Sequence, residues 1–315
     1  IRGTRFLDER GGAALNHCGF VSARDLGSDC AGPFLWMFRM SMLGVGVGFD
    51  TAGRGRVTIR RPRRADEPHV IADSREGWTA ALERLLNAHI GRASLPRAWD
   101  TSRIRPKGAP LKSFGGLASG PAPLEAMLHD LGALLDAYAG RPADARLIVD
   151  VMNLAGRCVV AGGIRRSAQI AFGDADDAQF LALKDDAEKV RAYRWVSNNS
   201  IFATRGMDYG PAARHTAVNG EPGFFWLENA QRFGRLADGP DDRDAQAAGS
   251  NPCVEQTLWD RELCCLVETY PAHHETWADY RRTLSLAYQY AKTVTLVETE
   301  DPATNDVMLR NRRIG

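Results

Sequence analysis

A thiol and a carboxylate stand two residues apart at Cys253 and Glu255, preceded by Asn251 and Pro252. A spacing of two sends both side chains to one side if the segment is extended. Pro252 fixes its own φ and pushes Asn251 toward the extended region, so a stiff tip is expected. The set holds a thiol that can handle an electron or a hydrogen atom, a carboxylate base and an amide hydrogen-bond donor. Cys264 lies eleven residues on, too far along the chain for a local partner, whereas Cys18, remote in sequence, can close on it in space. Taken singly, each cysteine is more often a small buried hydrophobe than a reactive thiol.

Six cysteines, at 18, 30, 158, 253, 264 and 265, are too few for a disulfide scaffold in 315 residues. No Cys-x-x-Cys pair occurs, and adjacent Cys264 and Cys265 are poorly placed to ligate one zinc ion, so no metal site is expected. No signal-like segment opens the chain, which points to a cytoplasmic, reducing compartment where any thiol that matters is catalytic or redox-active. Forty Lys and Arg balance 39 Asp and Glu, leaving +1. That charge gives no field to draw the whole chain to nucleic acid or a membrane. The longest apolar runs, Pro33 to Met37 and Leu43 to Phe49, are far too short to span a bilayer. With 44% apolar and 25% charged positions, disorder and a coiled coil are excluded too. The chain starts at Ile1 without Met and closes on Arg310 to Gly315, so an internal piece of a longer protein is expected.

The elements that must position these residues are legible in part. Gly44, Gly46 and Gly48 alternate with Val45 and Val47, the mark of a backbone that something approaches closely, or of a tightly packed buried strand. Arg54 to Arg64 is a basic loop. Ser74 can cap a helix whose apolar stripe is Trp78, Ala81, Leu82, Leu85 and Leu86. A long Gly- and Pro-rich loop covers Arg92 to Pro123, and a second amphipathic helix follows from Leu124 to Tyr138. Helices then alternate with short strands to about Phe202, an α/β pattern. Asp238 to Ser250 reads as an acidic surface loop, and Tyr280 to Glu298 as a helix.

Asn251-Pro252-Cys253-x-Glu255, with Glu262-Leu263-Cys264 and Leu266-Val267-Glu268 behind it, resembles the finger-loop region of ribonucleotide reductases. The likeness is greatest to the monomeric, adenosylcobalamin-dependent (class II) ribonucleoside-triphosphate reductases. Asn16-His17-Cys18 with Phe20-Val21-Ser22 looks like that family's first-strand cysteine. The phrases Ser41 to Asp50, Asp73 to Trp78, Phe114 to Pro121, Gly156 to Ala168, Trp195 to Ser200 and Asn219 to Gly223 recur in the same order.

The resemblance implies the first half of a ten-stranded α/β barrel with a central finger loop, plus a helical effector-binding insertion. Residues 1–65 would begin the barrel, 66–157 form the insertion and 158–315 continue the barrel through the finger loop. It implies that Cys253 is the thiyl radical, Glu255 the base on the ribose 3′ hydroxyl and Asn251 a hydrogen-bonding support. Cys18 and Cys264 would be the dithiol that supplies two electrons. Gly46, Gly48 and Asp50 would belong to effector or substrate loops, as would Gly162, Gly163, Arg165, Arg166 and Ser167. The implied ligands are a ribonucleoside triphosphate, a deoxynucleotide effector, adenosylcobalamin held beyond Gly315 and a thioredoxin-type reductant acting on a monomer.

Three positions depart from the family pattern. Val254 replaces a usual glycine, which would strain the tip if that position needs φ > 0. His17 and Cys265 stand where asparagines are expected, and Cys265 would then compete for the disulfide. The readings kept beside this one are a dimeric reductase acting on diphosphates and a catalytically dead nucleotide-binding regulator.

Overall fold

The computed structural model describes residues 5, 7, 11–111, 116–161, 168–234 and 237–315. Its centre is a sheet whose first five members run parallel: β1 (Cys18–Val21), β2 (Gly46–Asp50), β3 (Gln169–Asp174), β4 (Ser197–Phe202) and β5 (Gly223–Phe225). Two further short strands, β6 (Gly249–Ser250) and β7 (Thr257–Leu258), form a separate antiparallel hairpin. The sixth strand of the sheet, β8 (Glu262–Cys264), joins antiparallel at the edge beside β1. Successive parallel strands are neighbours and are joined through helices, as parallel pairing requires.

The first crossover is α1 (Gly32–Met42), with Pro33 in its first turn, where a missing N–H costs nothing. The second is long and contains α2 (Arg75–His89), α3 (Ala122–Ala137) and α4 (Ala145–Val160). Ser74 caps α2 as expected, accepting from the Gly77 N–H at 3.0 Å. Within the stretch read as a long Gly- and Pro-rich loop, Ser94–Leu95 and Trp99–Asp100 pair in parallel with Arg63–Arg64 and His69–Val70. The C-terminal part holds α5 (Trp277–Val294) and α6 (Pro302–Asn311). α5 starts three residues before the expected Tyr280, because Thr276 caps it by accepting from the Asp279 N–H, and it stops at Val294.

Side chains alternate across the sheet and build two different faces. Val21, Val47, Phe49, Ala171, Ile201 and Leu263 join the large core against the helices. Cys18, Phe20, Ile170, Phe172 and Cys264 point the other way, into a smaller cluster with Ala248 and Leu258 of the hairpin segment. On that second face β2 presents Gly46 and Gly48 opposite Cys18 and Phe20 of β1, and Asp50 at its end. The result is a groove along the middle of the sheet. A Cβ on Gly48 would lie 1.9 Å from the Ser250 carbonyl oxygen, and one on Gly249 would lie 2.2 Å from the Phe20 ring. The alternating glycines therefore belong to a buried strand, and what approaches them is the hairpin.

The expected surface loop at Asp238 to Ser250 is corrected accordingly. Residues 237–243 are exposed, but Ala247 to Ser250 are buried and end in β6.

Candidate active site

The hairpin delivers its tip to the cysteine-bearing edge of the sheet. Strands β1 and β8 pair antiparallel with Cys18 directly opposite Cys264, both buried and both free thiols. Pro252 packs at the same place: a Cβ on Gly46 would be 3.3 Å from its ring and 3.6 Å from the Cys18 sulfur. Cys253 follows Pro252 and is exposed.

The tip is a turn, so of the two geometries left open for it the strained one holds, and the same-side placement of Cys253 and Glu255 that an extended segment would give does not arise. The Val254 N–H donates to the Asn251 carbonyl at 3.0 Å, and Val254 has φ 64°. A β-branched residue in the left-handed region carries strain of about 1–2 kcal/mol. Asn251 is fully buried and organises what surrounds it. Its Nδ2 donates to Glu255 Oε1 at 2.6 Å and lies 3.9 Å from the Cys264 sulfur. Its Oδ1 accepts from the Gln256 N–H and the Ser250 hydroxyl, each at 3.3 Å. Glu255 thus reaches the cysteines through the Asn251 amide rather than by alternation along a strand.

The three thiols differ in proton affinity. The Cys264 thiol donates to the Cys18 sulfur, and this lowers the Cys18 pKa against the opposing effect of burial. Asn251 and Cys253 add smaller hydrogen bonds in the same direction. Cys264 shifts upward, chiefly because it is that donor and then because it is buried. Cys253, though exposed to solvent, also shifts upward, through partial desolvation by its surroundings first, then the negative charge of Cys18 and of Glu255. Cys18 is therefore the thiol that ionises first, while Cys253 keeps its S–H. One ionisable sulfur hydrogen-bonded by two protonated ones is an arrangement for two-electron thiol chemistry beside a hydrogen-atom donor.

Cys264 and Cys265 point to opposite faces. Cys264 lies in the cluster with Cys18, whereas Cys265 packs with Ala291 and Val294 of α5. Cys265 is thereby removed from competition for Cys18. The backbone N–H of Leu266 donates to His17 Nδ1 at 3.3 Å, so His17 braces the β1–β8 edge.

The remaining expected positions fall elsewhere. Gly46, Gly48 and Asp50 lie in a buried strand rather than a loop. Asp50 accepts from the Ser22 hydroxyl at 2.6 Å and from the Ala23 and Ala52 N–H groups, and burial raises its pKa to about 6. Gly162, Gly163, Arg165, Arg166 and Ser167 lie outside the described residues. Sequence reasoning missed Ser250 and Gln256, which hold Asn251, and the charged residues Asp244 and Arg313 beside the hairpin. Only the unbroken run from Ser250 to Gln256 signalled the first two. Among the described residues no cluster of His, Cys, Asp or Glu is arranged to hold a metal ion, and no helix is long and apolar enough to cross a membrane.

Comparison with known proteins supplies a frame for this geometry. Residues 62–135 match the family model for the insertion domain of B12-dependent ribonucleotide reductase. An adenosylcobalamin-dependent ribonucleoside-triphosphate reductase from Euglena gracilis is 50% identical over 308 residues, covering 96% of this chain and 42% of the relative. A probable enzyme of the same description from Dictyostelium discoideum is 44% identical, again over 96% of this chain and 42% of its own length. The Lactobacillus leichmannii enzyme is 34% identical over 100% of this chain and 50% of its own. A crystal structure of a B12-dependent (class II) ribonucleotide reductase superposes with a TM-score of 0.85 at 31% identity, over all of this chain and 51% of that one. The chain thus spans about half the length of the relatives it matches, and the sheet with its hairpin corresponds to part of their α/β barrel.

Proposed function

We propose that this chain, a homologue of one half of the adenosylcobalamin-dependent ribonucleoside-triphosphate reductases, supplies the thiol centre of an enzyme that converts ribonucleoside triphosphates to deoxynucleotides. The observation that carries the reading is the convergence of Cys18, Cys264, Asn251 and Glu255 beneath an exposed Cys253.

The cofactor named by the relatives fits this chain at one point. Cys253 is exposed and held protonated, which is the form that surrenders a hydrogen atom. Adenosylcobalamin, when bound, supplies the one-electron chemistry that a thiol cannot begin unaided.

What the chain's own residues do follows from their placement. Cys253, once a thiyl radical, takes the hydrogen from the ribose 3′ carbon and later returns it. Glu255, oriented by Asn251, accepts the proton of the 3′ hydroxyl. The 2′ hydroxyl leaves as water, with a proton supplied by the thiol pair. Cys18 and Cys264 give two electrons and close a disulfide, so that one ribonucleotide and two thiols become one deoxynucleotide, one disulfide and one water. A thioredoxin-type dithiol then reopens the disulfide by exchange.

Effector control by a deoxynucleotide is assigned to residues 66–157, which overlap the matched insertion domain. The same reading carries a monomer in the cytoplasm, a barrel beginning in residues 1–65 and continuing over 158–315, and a phosphate-sensing role for the stretch from Gly162 to Ser167.

The test is nucleotide reduction by the full-length protein given CTP or ATP and a dithiol, with and without adenosylcobalamin. Cofactor-dependent deoxynucleotide is expected. The strain at Val254 favours one second reading, a nucleotide-binding regulator without turnover. Deoxynucleotide binding with no product would select it.

A further inference from the structure

A partly buried charged triad lies beside the thiol centre, and the chemistry above does not use it. Glu262 is fully buried on β8, two residues before Cys264. Its carboxylate accepts from Arg313 Nε at 3.0 and 3.1 Å and from the Trp259 N–H at 2.7 Å. The other edge of the same guanidinium grips Asp244 at 2.9 and 2.5 Å. Asp244 in turn accepts from Thr257 Oγ1 and Trp259 Nε1, both at 2.8 Å. Burial pushes Asp244 up in pKa, and the hydrogen bonds from Arg313, Trp259 and Thr257 outweigh it and hold the carboxyl low.

The arrangement joins three parts of the chain that pairing alone would not join. Asp244 precedes β6, Thr257 lies on β7 opposite Ser250, and Glu262 lies on the strand that carries Cys264. Arg312, with φ 49°, turns the chain back after α6 and so brings Arg313 under the hairpin. The hairpin needs such support: it has only two residue pairs, and a two-stranded hairpin is marginal by itself. Gly46 and Gly48 receive it on one side without binding it, so its height above Cys264 must be fixed from the other.

We propose that Arg313 is a positioning residue. By bridging Asp244 to Glu262 it fixes the finger hairpin over the Cys18–Cys264 pair, and it touches neither substrate nor any reacting atom. The role assigned to the hairpin rests on the functional reading above, but the bridge itself can be tested without turnover.

The experiment uses the full-length protein, its Arg313→Lys variant, which keeps a charge but loses the bidentate fork, and Arg313→Met. Each thiol is followed by alkylation rate with peptide mass spectrometry. In the parent Cys253 should label fast, while Cys264 and Cys158 (0% and 3% exposed) label slowly. In Arg313→Lys, Cys264 should label at least about tenfold faster, reporting local opening. Cys158, buried on α4 in the larger core rather than in the cluster that holds the hairpin, should keep its rate. Arg313→Met should exaggerate the same pattern. Unchanged Cys264 labelling in both variants overturns the proposal. So does a rise in which Cys158 joins Cys264, which marks Arg313 as a global stabiliser. Turnover gives a second arm: kcat should fall about tenfold or more with KM held within about threefold, as misplacement of a reacting group predicts. A parent protein that makes no deoxynucleotide would sink the functional reading, and the labelling arm would still decide the bridge.

Discussion

The finger hairpin and residues 62–135 are stabilised on opposite terms. Helices α2 and the start of α3 carry their own apolar stripes, with Leu82, Leu85, Leu124 and Leu131 all buried in the larger core. The hairpin has four strand residues, a strained tip and only Ala248 and Leu258 in a small apolar cluster. It is placed by a groove of glycines in β2, by Asn251, and by an arginine more than fifty residues from one of its carboxylate partners. A segment whose side chains are committed to chemistry cannot also provide its own core, so its position is set by contacts from elsewhere.

That difference can be broken at single residues. Cys264→Ser should lower deoxynucleotide formation by about 10³-fold or more, equivalent to some 4 kcal/mol of barrier. Cys265→Ser, on the opposite face against α5, should leave the rate within about twofold. Steady-state assay of the full-length variants checks both, and equal losses would mean that the two faces are misassigned.

Gly48→Ala and Leu131→Ala should each cost about 3 kcal/mol, for different reasons. The first drives a methyl into the Ser250 carbonyl, and the second leaves a cavity at a fully buried position. Only Gly48→Ala should also expose Cys264 to alkylation at temperatures where the protein stays folded.

Asp50 sharpens the contrast by pH. Its carboxyl sits against Ser22, Ala23, Ala52 and Asp260, with no cation among these neighbours. A folded pKa of about 6 lies above the ordinary value of 3.8. The stability gained from holding the proton is therefore complete below about pH 4 and lost as pH rises through about 6. Asp50→Asn should remove a slope on the order of 2 kcal/mol between those values, read by denaturant titration at several pH values. An unchanged slope would place the titration elsewhere. Smaller still, Val254→Gly should gain about 0.5–1 kcal/mol, the relief at φ 64° less the entropy glycine adds to the unfolded chain. A loss of stability would mean that Val254 makes a contact outweighing its strain.

The same contrast explains what the sequence could and could not convey. The start of α2 was legible because Ser74 and its apolar stripe act within a few residues of one another. The roles of Gly46 and Gly48 were half legible: their period of two showed that something comes close, and only the fold shows that it is Ser250. The tip stayed open between an extended and a strained form, because its conformation is imposed by Asn251 bonding to Ser250 and Gln256. Acidic composition made 238–250 look like surface, yet Asp244 is drawn inward by Arg313, which lies 69 residues away. Arg313 drew no reading of its own, since nothing local marks a cation that two distant carboxylates will hold.

The central claim is that Cys18 and Cys264 deliver the electrons while Cys253 starts the chemistry. Fully reduced full-length protein should be mixed with CTP and adenosylcobalamin, without an external reductant. The reaction is then quenched within the first turnover and its thiols mapped by alkylation and peptide mass spectrometry. The account predicts deoxynucleotide matched by loss of Cys18 and Cys264 into one disulfide, with Cys265 still alkylated and no product from Cys253→Ser. Deoxynucleotide formed while Cys18 and Cys264 remain reduced, or formed by Cys253→Ser, would contradict it.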